Sequence, residues 1–103
     1  MGKGKVAAQC SHAAVMAHES SRKKKPQIFA DWKNFGQPKI VVKIEGEKEM
    51  MELAEQARKR QLVVSVVSDA GRTQVASGTR TVLAIGPGPS FIIDQLTGHL
   101  KLY

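Results

Sequence analysis

Hydrophobic and polar positions along the chain change their spacing from segment to segment, which predicts alternating helices and strands. An alanine-rich stretch without glycine or proline predicts a helix from Val6 to Ser21. A second helix is predicted over Glu47–Arg60, where apolar residues recur three and four positions apart and the charges change from acidic to basic. Between them, residues 26–38 are predicted to form a loop with a short helical turn around Phe29–Trp32.

Three short apolar runs rich in β-branched residues predict strands over Lys39–Ile44, Leu62–Val67 and Thr79–Ile85. The second run is almost continuously apolar, which is typical of a strand covered on both faces. A short helix is predicted over Ser90–Thr97, followed by an extended segment from His99 to Tyr103. Helices alternating with strands predict an α/β layered sandwich, formed by one domain over residues 1–103.

The composition is that of a small globular domain. Of 103 residues, 42% are apolar and 24% are charged, which is not the balance of a disordered chain. No apolar run approaches the ~18 residues of a membrane span, and no apolar segment of a secretory signal follows Met1–Lys5. The single cysteine, Cys10, excludes a disulfide framework and a zinc site built from cysteines. We therefore expect a cytoplasmic protein, or an organellar one whose targeting segment is absent from this chain.

The whole chain has a net charge of +7, and its positive charge is concentrated in the first half. Residues 1–43 contain nine Lys and Arg against two carboxylates, whereas residues 44–103 contain seven of each sign. A one-sided basic surface predicts a phosphate-rich partner, and a merely solvated surface is the alternative. With only five aromatic residues, we expect recognition of a nucleic-acid backbone or shape rather than base stacking. The candidate nucleic-acid-binding residues are Lys3, Arg22, Lys23, Lys24, Lys25 and Arg72.

Two groups of polar residues stand out as candidates for chemistry. At about 100° per helical residue, Lys5, Gln9 and His12 lie within one narrow stripe of the first helix. Asp69 follows closely after the strand Leu62–Val67, and function in α/β folds gathers beyond the carboxyl ends of the strands. Asp69 is therefore the best-placed carboxylate in the chain.

Four long blocks of the sequence resemble the second peptidyl-tRNA hydrolase family, the type found in archaea and eukaryotes. They lie in the family's order, cover more than half of the chain, and read GKGKVAAQCSHAAV at 2–15, GQPKIVVK at 36–43, DAGRTQVASGTRTVLAIGPGP at 69–89 and IDQLTGHLKLY at 93–103. The resemblance implies a three-layer α/β/α sandwich around a small mixed β-sheet.

The resemblance also implies an activity: an esterase that separates peptide from tRNA in peptidyl-tRNA released by ribosomes, with no metal or organic cofactor. The basic first half of the chain fits a tRNA partner. Two alternatives stay open. Some eukaryotic relatives are associated with mitochondria and cell-death signalling, which implies a regulatory role with protein partners and a mitochondrial location. The other alternative is a basic tRNA-binding module without chemistry.

Ester hydrolysis needs a nucleophile, stabilisation of the oxyanion and a proton for the leaving oxygen. No Gly-x-Ser-x-Gly elbow is present, and Cys10 in its alanine-rich segment is expected to be a small buried residue, so activated water is the simplest nucleophile. Matching the family's blocks assigns Asp69 to holding and deprotonating this water, and Lys5 to the oxyanion. The alternatives are an Asx turn for the aspartate and one more solvated lysine.

Four further residues are candidates for the catalytic site with weaker arguments. Gln9 would donate to the substrate carbonyl or position the water, and it is otherwise a polar residue on an exposed helix face. His12 shares its stripe and would act as a general acid, although histidines near active sites are often structural. The remaining two candidates are threonines in the block at 69–89. Thr73 would orient the aspartate or close its turn, and Thr81 is a weaker candidate on the following strand.

The resemblance further implies that the family's first strand is missing from this chain. In the family an apolar strand precedes the block at 2–15, and nothing in the 103 residues replaces it. We therefore expect that Met1 is not the natural start, or that a partner chain, as in a homodimer, fills the position. Either Lys39–Ile44 or Thr79–Ile85 should then lack a neighbouring strand.

Overall fold

The computed structural model of the chain describes residues 1–69 and 78–103. Within these ranges the chain forms four helices and two paired strands. In chain order they are α1 (Lys3–Lys24), α2 (Pro26–Asn34), α3 (Gly46–Lys59), β1 (Val64–Ser68), β2 (Arg80–Ile85) and α4 (Ser90–Thr97). No helix of the described ranges is both long and apolar enough to cross a membrane.

Helix α1 confirms the prediction from the alanine-rich stretch and extends it by three residues at each end. Its small side chains pack closely, since Ala13 and Ser21 are buried in the interior. The hydroxyl of Ser21 donates to the carbonyl of His18 at 3.2 Å, so the buried polar group is satisfied. The helix ends in a basic turn before Lys25, where positive charge opposes the negative end of the helix dipole.

Helix α2 corrects the prediction of a loop over residues 26–38. Pro26 comes two residues after the end of α1 and begins a nine-residue helix, because proline suits the first helical position, where no N–H is needed. Phe29 is buried, and its ring lies edge-on to the imidazole of His18 with centroids 4.7 Å apart. The contact with α1 therefore stabilises a helix that is too short to persist alone.

The two strands form an antiparallel pair. Val64 is opposite Ile85 at one end of the ladder and Ser68 is opposite Arg80 at the other. The register shifts by one residue between Val67 and Ser68, because Thr81 is an extra residue on β2. Such a β-bulge sharpens the local twist and is frequent beside functional sites.

The predicted strand Lys39–Ile44 is wrong as a strand of this sheet. Within the described residues the segment makes one isolated bridge, between Val42 and Leu102. Two backbone bonds frame the bridge, from Lys43 N–H to the Lys101 carbonyl at 2.8 Å and from Tyr103 N–H to the Val41 carbonyl at 3.0 Å. The apolar pattern alone does not make a strand, since a strand also needs a neighbour along its length.

The sheet of the described residues is consequently antiparallel and two-stranded, rather than the mixed sheet that we expected. Lys39–Ile44 lies outside it, with the side chain of Ile40 77% exposed. The expectation that the family's first strand is missing, which would leave either this segment or Thr79–Ile85 without a neighbour, stays a prediction.

Helices cover the strand pair in two groups, as expected for an α/β sandwich. Helices α1 and α3 each pack against both strands, while α2 packs on α1 and α4 packs on α3. The core between strands and helices is centred on Ala57 of α3, Leu62 before β1 and Leu96 of α4. Val64 and Ile85, which are opposite each other in the ladder, pack against this cluster.

Candidate functional site

An ion pair between Lys5 and Asp69 lies at the end of the strand pair. Lys5 is in the first turn of α1, and Asp69 directly follows β1, so the α1–sheet packing brings together two residues separated by 64 positions. The Lys5 ammonium donates to Asp69 Oδ2 at 2.6 Å. The side chains are 48% and 27% exposed, so both charges are reachable from solvent. The structure thus joins the two residues that sequence analysis placed first.

The backbone of Asp69 is held by the start of the second strand. Its N–H donates to the carbonyl of Thr79 at 2.8 Å, and its own carbonyl accepts the N–H of Gly78 at 3.2 Å. Gly78 has a φ of +96°, which a residue with a side chain rarely adopts. These bonds keep the carboxylate at a defined position at the end of the ladder.

Gln9 lies one turn beyond Lys5 on α1 and is half-buried. Its side-chain oxygen is buried and has no hydrogen-bond partner among the described residues. A buried acceptor without a donor is costly, at about 1–3 kcal/mol. The structure therefore places Gln9 next to Lys5 on α1, with a side-chain acceptor that no described residue satisfies.

His12 is exposed on α1. It follows Lys5 by seven residues, which corresponds to roughly 10 Å along the helix axis at 1.5 Å per residue. The structure therefore places His12 on the same face of α1 as the pair but does not bring it into contact with the pair.

The two threonine candidates have different outcomes. Thr81, the extra residue of the bulge, is half-buried and its hydroxyl donates to the carbonyl of Val67 at 3.3 Å. This bond ties Thr81 to the strand backbone rather than to the ion pair. Thr73 lies outside the described residues, as does Arg72.

The basic candidates are divided between the two ends of α1. Lys3 begins the helix close to Lys5, whereas the run Arg22–Lys25 ends it. The seventeen positions from Lys5 to Arg22 correspond to about 26 Å at 1.5 Å per residue. Arg22, Lys23 and Lys24 are exposed, and Lys25 is half-buried where α1 meets α2. The sequence-predicted nucleic-acid-binding residues thus form two separate groups.

Sequence analysis missed Glu47 as a residue of this region. Its carboxylate accepts the backbone N–H of Arg80 at 2.7 Å and so joins the first turn of α3 to the first residue of β2. The sequence carries no signal for this role, because an acidic residue in the first turn of a helix is already favoured by the helix dipole.

The described residues offer no metal centre, since no three His, Cys, Asp or Glu side chains of residues 1–69 and 78–103 gather in one place. The chemistry of the site is that of one cation, one carboxylate and one amide at the end of a sheet. This set suits proton transfer to and from water and stabilisation of a developing negative charge.

Comparison with known proteins connects this arrangement to a family. The model of the family described as "Peptidyl-tRNA hydrolase PTH2" matches residues 1–103. "Peptidyl-tRNA hydrolase 2, mitochondrial" of Bos taurus is 56% identical over 103 residues, which are 100% of this chain and 58% of that protein. "Probable peptidyl-tRNA hydrolase 2" of Drosophila melanogaster is 46% identical over 102 residues, 99% of this chain and 55% of that protein.

An archaeal relative is matched over more of its own length. "Peptidyl-tRNA hydrolase" of Thermococcus sibiricus is 48% identical over 102 residues, which are 99% of this chain and 86% of that protein. The chain therefore spans a little over half of the bovine and fly relatives and most of the archaeal one.

Proposed function

Because the chain belongs to the peptidyl-tRNA hydrolase PTH2 family, we propose that it hydrolyses the ester bond of peptidyl-tRNA released from ribosomes. The products are a free peptide and a tRNA with an intact 3′ end. The observation that carries this proposal is the Lys5–Asp69 ion pair, since it places a base and a cation side by side at an accessible edge of the fold.

In the proposed reaction, Asp69 removes a proton from a water molecule that attacks the ester carbonyl carbon. The Lys5 ammonium stabilises the negative charge that develops on the carbonyl oxygen. The bond from the carbonyl carbon to the ribose oxygen then breaks, and the leaving oxygen takes the proton that Asp69 accepted. The peptide leaves with a carboxyl group, which loses its proton to solvent, and Asp69 is again ionised for the next cycle.

The remaining candidates have supporting roles in this proposal. Gln9 positions the water or the substrate carbonyl, an assignment supported by its place one turn after Lys5 on α1 and by a side-chain oxygen without a hydrogen-bond partner among the described residues. Thr73 orients Asp69, while Thr81 supports the strand that holds it, as its bond to Val67 suggests. His12 is a secondary candidate for supplying a proton, because it lies beyond direct reach of the pair.

Basic residues bind the tRNA through its phosphates. Those in the first half of the chain are Lys3, Arg22, Lys23, Lys24 and Lys25, and Arg72 is the one in the second half. No metal or organic cofactor takes part in the proposed reaction. A homodimer and regulatory protein partners are further proposals that no contact of the described residues addresses.

The location of the protein is a further proposal. The names of the bovine, mouse and human relatives include "mitochondrial", which supports a mitochondrial location for this chain. The cytoplasmic location expected from the composition is the alternative.

Release of a labelled N-acylated amino acid from its tRNA by the purified chain, with and without EDTA, tests the function. We expect release at equal rates in both conditions. Inhibition by EDTA that added metal reverses would contradict the metal-free reaction. Binding of the acylated tRNA without release would contradict hydrolysis and leave the binding module as the function.

A further inference from the structure

Aromatic residues and lysines follow one another along α2 and the residues after it, and the rings of Phe29 and Trp32 lie next to His18 of α1. The Lys33 ammonium lies 5.9 Å from the ring centroid of Phe29, and the Lys39 ammonium lies 5.5 Å from that of Trp32. Phe35, the residue after the last turn of α2, is 85% exposed. We call Trp32, Lys33, Phe35 and Lys39 the α2 platform.

Several hydrogen bonds hold the backbone around Phe35, so its exposed ring is attached to a well-defined turn. The Phe35 N–H donates to the carbonyl of Asp31 at 3.1 Å, and the Gly36 N–H donates to that of Lys33 at 3.1 Å. Gly36 has a φ of +93°, which reverses the chain at the end of the helix. The Trp32 indole N–H donates to the carbonyl of Pro38 at 3.0 Å and closes the turn from the other side. A large apolar ring is thus held out towards solvent.

The charge around the platform indicates which partner such a ring would meet. Residues 22–39 contain six Lys and Arg against one carboxylate, Asp31, and so carry most of the net charge of the chain. An exposed aromatic ring in a segment rich in cations suits a polyanion that also presents flat apolar groups. Unpaired nucleotides have this chemistry, because each base stacks on an aromatic face while its phosphate meets a cation.

We propose that the α2 platform binds unpaired nucleotides of the tRNA, with Phe35 stacking on a base and Lys33 and Lys39 contacting neighbouring phosphates. This contact would add base stacking to the recognition of backbone and shape that the small number of aromatic residues predicts. This inference rests on the proposed function, since it assigns a second contact to the same substrate. His18, which packs on the rings of α2, follows Lys5 by thirteen residues, or about 20 Å along α1. The platform therefore acts on binding of the tRNA body and not on the ester bond.

The sharpest test is Phe35→Ala beside Phe91→Ala, because Phe91 is also a largely exposed phenylalanine, at 66%, but belongs to α4. Loss of one stacked base corresponds to a roughly 5- to 150-fold rise in the dissociation constant of tRNA. We expect this rise for Phe35→Ala and none for Phe91→Ala, with recovery in Phe35→Tyr. Equal affinity of all variants for tRNA would overturn the proposal and leave a protein as the partner of this surface.

The proposed phosphate contacts of Lys33 and Lys39 are tested separately, by measuring how tRNA binding depends on salt. Each phosphate contact to a single strand changes the slope of log K against log salt by about 0.7. Replacing both Lys33 and Lys39 by glutamine should flatten the slope by about twice that amount. Replacing Lys48 and Lys59, which both lie on α3, should leave it unchanged, and an unchanged slope in the platform variant would contradict the phosphate contacts.

Two further measurements keep this proposal separate from the proposed function. Trp32 is the only tryptophan of the chain, so its fluorescence in the wild-type protein should change when tRNA is added. A substrate reduced to an N-acylated amino acid on a terminal adenosine should be cleaved equally well by wild type and Phe35→Ala. If this substrate is cleaved but Phe35→Ala has no effect on tRNA binding, the platform proposal is wrong and the proposed hydrolase activity stands. If the wild-type protein cleaves neither substrate, the proposed hydrolase activity is wrong.

Discussion

Lys5 and Asp69 form an ion pair that is accessible to solvent, and such pairs contribute only about 0–1 kcal/mol to folding. The fold therefore does not depend on this pair, and substitutions within it should separate activity from stability. Substitution of a buried residue of the same helix, such as Ala13, would by contrast disturb the packing of the fold.

Asp69→Asn should remove most of the turnover, because the amide keeps the shape of the side chain but does not accept a proton from water. General-base contributions amount to roughly 10²- to 10⁴-fold. The melting temperature and the affinity for tRNA should change little. Single-turnover release of labelled peptide from acylated tRNA is the measurement, and a wild-type rate in Asp69→Asn would end the assignment.

Lys5→Ala should lower turnover far more than Lys24→Ala. Both changes remove one positive charge from α1, but only Lys5 is placed at the carboxylate of the site. Lys24 belongs to a run whose members substitute for one another at phosphates. Comparing kcat and KM of the two variants is the measurement, and equal reductions of kcat would indicate that Lys5 acts only through the net charge.

Sequence analysis identified Lys5 and Asp69 but not Glu47, and the difference is physical. A carboxylate after a strand and a lysine in a helical stripe are recognisable from local patterns. The bond from Glu47 to the N–H of Arg80 depends on how α3 packs against β2, which no local pattern contains.

At the scale of elements, α3 holds the strand pair in place through this bond. Glu47→Ala should cost about 1 kcal/mol, the contribution of a typical hydrogen bond, and should lower kcat by less than the 10²-fold that a misplacement of about 1 Å costs. Glu47→Gln keeps an acceptor and should recover most of the stability and activity. Thermal unfolding and kcat are the measurements.

Glu49→Gln is the matched control, because Glu49 also lies in the first turn of α3 and shares the interaction with the helix dipole. If Glu49→Gln and Glu47→Ala reduced stability and kcat equally, the effect would belong to the helix dipole and not to the bond with β2.

The elements that sequence analysis predicted best are those set by local spacing. Helix α4 has the predicted bounds, those of α3 and β2 differ by one residue, and those of α1 and β1 differ by at most three. Helix α2 was predicted only as a short helical turn, because a proline that ends one helix also suits the start of the next, and Pro26 does both. Lys39–Ile44 was predicted as a strand of the sheet because its composition is that of a strand, whereas pairing depends on distant residues such as Leu102.

For the whole molecule, the uneven charge is the property with the widest effect. Affinity for tRNA should fall steeply as salt rises, because phosphate contacts release counterions. Neutralising Arg22–Lys25 should flatten the salt slope by up to about 0.9 for each phosphate that the run no longer binds. Neutralising Arg58–Arg60, a basic run at the end of α3, is the control that leaves the first half of the chain unchanged.

Titration of tRNA binding at several salt concentrations makes this comparison directly. A slope that stays the same after neutralisation of Arg22–Lys25 would identify the run as a solvated helix end. A slope that falls equally in both variants would mean that the net charge, and not the location of the run, governs binding.

Helix α1 also sets a direction on the surface. Lys5 and Lys23 are eighteen residues apart, which is five full turns at 3.6 residues per turn, so the two cations lie on one line parallel to the helix axis. Both side chains are exposed. Any single polyanion that touches both must run lengthwise along α1 and not across it, so the RNA of the proposed substrate would lie parallel to this helix before any chemistry begins.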